Sequence, residues 1–210
     1  LKKIILFFLG ASVFWLVFGT LVGQYVGMKF VWPDMDHIAW LSFGRLRPVH
    51  TNTVFWGWAS LAMIGLGYFV IARTSNTKIF SYQWAWISWW LLNVAVVCVG
   101  LVLTLANYYK TVASRKISEI YISNWYILGG LIWTIVLVTI GYLPFYQNGL
   151  GETIIQGYYM HQGVGMWFMT FTLGLTYYFL PSSLNKPIYS YSLGVLAFWT
   201  QMLFYTLIGT

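Results

Sequence analysis

Two histidines stand inside long uncharged runs of this sequence, His50 and His161. An ionisable side chain in such a run is costly to place in hydrocarbon, so it marks function before it marks packing. An imidazole binds a metal through one ring nitrogen while the other donates to a neighbour. His50 lies in GRLRPVHTN, directly behind Arg45, Arg47 and Pro48. Proline suits the first turn of a helix, where its missing N–H needs no partner. His50 then sits about one turn in, with the two arginines at headgroup level above it. A heme held edge-up on His50 would bring its propionates to that level, and guanidinium forks match carboxylates. The competing reading is an interfacial histidine beside ordinary membrane-flanking arginines. His161 lies in GYYMHQGVGMW, roughly 14 Å along its helix at 1.5 Å per residue and so near mid-membrane. Gly157 and Gly165, four residues to either side, share its face and clear space for a ring, a metal or another helix. The alternative there is a small-residue helix contact with a hydrogen-bonded histidine.

Other chemistry has little to run on. There is no carboxylate pair, no CxxC and no glycine-rich phosphate loop, which excludes the common hydrolytic sites. Asp34, Asp36 and His37 fall in the 29–47 loop and are expected to be solvated or interfacial. Glu119 lies in a basic loop. Glu152 opens the fifth hydrophobic run, where an acid suits a helix N-terminus. Cys98, the lone cysteine, has no partner for an internal disulfide. Metal or heme chemistry, or transport, is what remains.

The elements that must position these residues are membrane helices. Of the 210 residues 60% are hydrophobic and only 7% charged, far from the make-up of a soluble domain. A spanning helix needs roughly 20 apolar residues. The uncharged runs give six candidate spans, near 4–27, 48–72, 83–108, 122–143, 153–180 and 188–209. One transmembrane domain over 1–210 is therefore expected: all-α, a polytopic helical bundle. The first run is too long for a signal peptide and lacks a small-x-small cleavage site. Its start without Met and its end at LIGT suggest a longer polypeptide. Trp32, Trp40, Tyr82, Trp84, Tyr108, Tyr109, Tyr121 and Trp125 crowd the segment ends as an interfacial belt. The net charge of +7 sits in short loops, where it sets membrane orientation, so no nucleic-acid partner is expected.

GRLRPVHTN, EIYISNWY at 119–126, QGYYMHQGVGMWF at 156–168, TYYFLP at 176–181 and KPIYSYSL at 186–193 occur in that order. Together they resemble the catalytic subunit I of the cbb(3)-type, or C-family, heme–copper cytochrome c oxidases, from about residue 40 onward. The resemblance implies that His50 is an axial ligand of a low-spin heme b and His161 one of three ligands of the copper CuB, beside a high-spin b-type heme. It implies the N-terminal half of a subunit that reduces O2 to water with electrons from cytochrome c and moves protons. It further implies cytochrome c-type partner subunits and a multi-pass place among the lipids of a bacterial inner membrane. In the family a His-His pair follows the LIGT-like motif, and later helices carry the remaining heme ligands and a tyrosine linked to a copper histidine. This half alone would complete neither site. Nitric oxide reductases resemble the same family but place a glutamate four residues after the second histidine, where this chain has Gly165.

One segment does not fit. The family has an additional span between RPxHT and IYxxNW, and this chain is shorter there. Simple alternation with the N-terminus inside puts 4 of the Lys and Arg residues inside and 7 outside, against the positive-inside rule. Moving the 110–116 loop and Lys186 inside gives 8 against 3. Either 79–109 does not cross once, or a helix is missing. Two other classes stay open. One is a b-type electron carrier with His50 and His161 on a single heme, which needs facing imidazoles. The other is a cofactor-free transporter, which needs helices broken near mid-membrane; the continuous runs speak against it.

Overall fold

The protein is described here from a computed structural model, covering residues 1–33, 35–95, 97–142 and 148–205. Among the described residues it is all helical. Helix α1 spans Lys2–Met28. A long rod follows, built of α2 (Phe43–Asn52), a π-helical stretch over Thr53–Ser60, and α3 (Leu61–Thr74). Then come α4 (Tyr82–Asn93), α5 (Val97–Ala113) and α6 (Ile122–Tyr142). A second composite rod joins α7 (Leu150–Gln162), a π-helical stretch over Gly163–Met169, and α8 (Thr170–Leu184). Last is α9 (Tyr191–Thr200), continued by a π-helical turn over Gln201–Tyr205. Lys2–Met28, Phe43–Thr74 and Ile122–Tyr142 are long and apolar enough to cross a membrane.

The 83–108 segment is not one span. It is a helical hairpin, with α4 and α5 antiparallel and packed along each other. Their ends away from the tip meet where Asn107 accepts from the Ser81 N–H at 3.0 Å and donates to the Ser81 carbonyl at 2.7 Å. α4 has 12 residues, about 18 Å, against a hydrocarbon core of about 30 Å. It runs alongside α1: the Leu1 ammonium reaches the Tyr82 hydroxyl at 3.2 Å, Trp89 Nε1 donates to the Phe7 carbonyl at 3.1 Å, and Trp15 Nε1 donates to Asn93 Oδ1 at 2.8 Å. Trp15 is midway along α1, so the hairpin tip stops at mid-membrane depth and returns. The continuous helix expected over 83–108 is two helices, α4 ending at Asn93 and α5 starting at Val97, with Ala95 between them in a left-handed conformation (φ 62°).

This hairpin resolves the charge conflict. Residues 1–3, 73–81, 110–121 and 185–190 gather at one face, tied by Lys116 N–H to the Ser75 carbonyl at 3.1 Å and by Tyr191 hydroxyl to the Ile120 carbonyl. That face holds Lys2, Lys3, Arg73, Lys78, Lys110, Arg115, Lys116 and Lys186; the other holds Lys29, Arg45 and Arg47. The positive-inside rule assigns the first face to the cytoplasm. The two composite rods therefore both enter from the outer face and run the same way.

The core sits where α3, α5, α6 and α8 meet. Tyr68, Tyr108, Ile127, Leu131, Trp167 and Phe171 are fully buried there. Tyr108 donates to the Ile64 carbonyl at 2.5 Å, so even the buried phenol is satisfied. Glycines admit these rings: a side chain at Gly67 would strike the Tyr108 hydroxyl at 2.6 Å and Phe171 at 2.8 Å.

Candidate functional site

Pro48 does not start its helix. α2 begins at Phe43, which makes Pro48 an interior residue and leaves the Gly44 carbonyl without its usual donor. The rod then widens into π-helical geometry directly after Asn52, with Ser60 Oγ donating five residues back to the Phe55 carbonyl at 2.8 Å. The second rod does the same directly after Gln162, with Thr170 Oγ1 donating to the Gly165 carbonyl at 2.9 Å. π-Bulges recur at functional sites because they re-aim the side chains beside them. The two bulged stretches are locked together. Trp167 Nε1 donates to Ser60 Oγ at 2.8 Å, and Phe55 meets Phe168 edge to face at 4.6 Å. The helices carrying His50 and His161 are thereby held side by side.

The His50 ring packs against α1 at Gly19 and Gly23. Its Nδ1 is 2.7 Å from the Gly19 carbonyl, and a side chain at Gly23 would strike the ring at 2.4 Å. A carbonyl only accepts, so Nδ1 is the donor, and Nε2 is the nitrogen with no protein partner among the described residues. An outer partner on one nitrogen and a free lone pair on the other is the form a metal-binding histidine takes. Gly19 and Gly23 were missed in the sequence. GTLVG is a small-residue repeat of the GxxxG type, and that signal could have found them. Arg45 and Arg47 are exposed on the first turns of α2, and neither is ion-paired among the described residues.

His161 is exposed and stacks on Tyr205, with ring centroids 4.8 Å apart and planes within 8°. The space expected beside Gly165 is taken by that same ring, which a Cβ there would meet at 1.9 Å. Buried Gln162 donates to the Tyr205 carbonyl at 3.3 Å, and Gln201 donates to Thr170 Oγ1 at 2.8 Å. These contacts seat the last turn against the His161 helix. Tyr205 is a second residue that the sequence reading missed: a phenol against a candidate metal ligand, within this chain. No three His, Cys, Asp or Glu side chains come together among the described residues, so His161 is one candidate ligand and not a complete set. His50 and His161 are not brought face to face. One packs on α1 and the other on the turn after α9.

Asp36, expected in solvent or at the interface, lies in the outer connection with its side chain 14% exposed and ion-paired to Lys29 at 2.6 Å. It also accepts from the Tyr25 hydroxyl and from the Ile38 N–H at 3.0 Å. The Lys29 ammonium is the main cause holding its carboxyl below the usual carboxylate range. The cluster pins the start of the 29–42 connection to α1. His37 is exposed with a left-handed backbone, and Asp34 lies outside the described residues. Glu152 stands in the first turn of α7 and Glu119 is exposed in its loop, as expected.

The model of the family "Cytochrome C and Quinol oxidase polypeptide I" matches residues 3–103 and 92–210. The chain is 28% identical to a cytochrome c oxidase subunit 1 homolog of Agrobacterium tumefaciens, over 95% of this chain and 44% of that protein. It is 26% identical to the Cbb3-type cytochrome c oxidase subunit CcoN1 of Stutzerimonas stutzeri, over 99% of this chain and 52% of that protein. It is 27% identical to cytochrome c oxidase subunit 1 of Rhodobacter capsulatus, over 95% of this chain and 45% of that protein. The chain spans about half the length of the curated relatives it matches. With the family match covering nearly every residue, and relatives that include a cbb3-type subunit, the chain belongs to the heme–copper cytochrome c and quinol oxidase subunit I family.

Proposed function

We propose that this chain carries the first ligands of a terminal oxidase's catalytic subunit, one that reduces O2 to water with electrons from cytochrome c and couples this to proton translocation in a bacterial inner membrane. The observation that carries the reading is His50: Nδ1–H bonded to the Gly19 carbonyl, with Nε2 free. In this reading His50 would hold a low-spin heme b, and His161 would hold CuB beside a high-spin b-type heme. Those groups, when bound, supply the electron transfer and O2 chemistry. The chain's own part is to fix the imidazoles. Gly19 and Gly23 set the tautomer and plane of His50, while Tyr205 holds His161 from one side with an O–H able to give a proton. Cytochrome c-type subunits would deliver electrons.

The alternatives find less support. A glutamate at 165 has no room beside the Tyr205 ring, which weighs against the nitric oxide reductase reading. Imidazoles packed against different helices weigh against a single heme shared by His50 and His161. The mid-membrane break at Asn93–Val97 lies in a hairpin whose two arms return to the same face, unlike the through-going broken helices of transporters. The direct test is O2 uptake by the purified full-length protein with reduced cytochrome c as donor. Uptake that is lost in His161→Ala is expected; reduction of nitric oxide with no O2 uptake would favour the reductase.

A separate expectation concerns the arginines. If Arg45 and Arg47 face heme propionates, they favour the reduced, less positive heme, so Arg47→Gln should lower the low-spin midpoint potential. Both are exposed, so the shift belongs to the range of a solvated charge pair, about 0.2–1 kcal/mol or roughly 10–40 mV. A redox titration checks this; an unmoved potential assigns Arg47 to membrane orientation alone.

A further inference from the structure

Both histidine rods open into π-helical spacing, and both close it in the same way. Where bonds spanning five residues return to bonds spanning four, one carbonyl is left over, because a π-turn holds one residue more than an α-turn. A hydroxyl stands at each return. Ser60 Oγ donates to the Phe55 carbonyl at 2.8 Å, and Thr170 Oγ1 to the Gly165 carbonyl at 2.9 Å, each five residues back. The hydroxyls of Thr104, Thr134 and Thr176, in regular stretches of α5, α6 and α8, reach four residues back. Ser60 and Thr170 follow His50 and His161 by ten and nine residues.

Each hydroxyl also accepts from a neighbouring element. Trp167 Nε1 of the second rod donates to Ser60 Oγ at 2.8 Å, and Gln201 Nε2 of the last turn donates to Thr170 Oγ1 at 2.8 Å. Ser60, Trp167 and Thr170 are all buried. The part of each rod after its hydroxyl is anchored in the core, at Leu61, Ile64 and Tyr68 in one and at Phe171 in the other. The histidine lies before the π-turn. If that turn closed to α spacing, the part before it would rotate by about 100° against the part after it, one residue's worth at 3.6 per turn. His50 would then leave Gly19 and Gly23, and His161 would leave Tyr205.

We propose that Ser60 and Thr170 are positioning residues: their hydroxyls hold the two π-turns open and so fix the direction in which the imidazoles of His50 and His161 face. With those imidazoles as the ligands of the reading above, the two hydroxyls set where each cofactor stands. Each acts through its turn and not through a bond to the histidine.

Cysteine pairs read the two directions without any cofactor. In the full-length protein, cleared of its other cysteines, the first pair is Gly23→Cys with His50→Cys and the second His161→Cys with Tyr205→Cys. Each pair is bridged with a short, membrane-permeant bis-methanethiosulfonate. Ser60→Ala is expected to slow bridging of the first pair several-fold and leave the second alone; Thr170→Val should do the reverse. Ser60→Thr and Thr170→Ser, which return the hydroxyl, should restore each rate. Trp167→Phe and Gln201→Leu remove the incoming donors but keep the bonds to Phe55 and Gly165, so bridging should persist in them. These two variants carry the test where Ser60→Ala or Thr170→Val does not accumulate. Bridging that is unchanged without the hydroxyls would overturn the proposal. Bridging lost as fully in Trp167→Phe and Gln201→Leu would overturn it too, and show that packing between the elements aims the histidines. With both histidines in place, the low-spin spectrum should shift in Ser60→Ala and not in Thr170→Val. Bridging that follows the hydroxyls beside a spectrum that never moves would keep the positioning role and count against the ligand reading.

Discussion

Replacing His161 with alanine in the full-length protein is expected to strip most of its copper and leave the low-spin heme spectrum in place. Losing even an outer partner of a metal-bound histidine typically costs 10- to 100-fold in metal affinity. Losing the ligand itself should cost more, and a site of three imidazoles would be left with two. The low-spin heme is spared because His161 packs against Tyr205 and not against the His50 side of the bundle. Metal analysis checks the first half and a reduced-minus-oxidised spectrum the second. Unchanged copper would remove His161 from the ligand set. A wild-type protein holding non-heme iron in place of copper would return the nitric oxide reductase reading, despite the ring that fills the space beside Gly165.

His50→Ala is expected to abolish the low-spin b-type component. An alanine offers no lone pair, and no other histidine is near. His37 lies in the outer connection and His161 on another helix face, so neither can substitute without moving a rod. Gly23→Val should weaken the same component by a different route. Its Cβ would sit 2.4 Å from the imidazole, so the ring must leave the Gly19 carbonyl and lose its fixed plane. A low-spin spectrum that survives His50→Ala would end the assignment.

Much of this was legible in the sequence, for identifiable reasons. Uncharged runs set the helices because hydrocarbon allows little else. His50 and His161 stood out because ionisable groups are rare at that depth. The loop charges already pointed to an even number of crossings between Arg73 and Lys110. What hydropathy could not show was the hairpin: Ala95 is an apolar residue, and its left-handed backbone leaves no mark on an apolar run. Pro48 misled in the opposite sense. It is a common first-turn residue, but here the helix starts at Phe43. Tyr205 was illegible because its role arises from a contact across helices far apart in the chain, and GTLVG marks Gly19 and Gly23 as a helix contact without saying that His50 is what they meet. Asp36 looked like a loop acid until Lys29 and Tyr25 closed on it.

The most direct measurement of the central claim is the cofactor content of the purified full-length protein, by heme extraction, metal analysis and low-temperature spectroscopy together. Copper, a low-spin b-type heme that depends on His50, and a separate high-spin b-type heme are expected. A protein holding a single bis-histidine heme and no copper, with its spectrum lost equally in His50→Ala and His161→Ala, would contradict the claim.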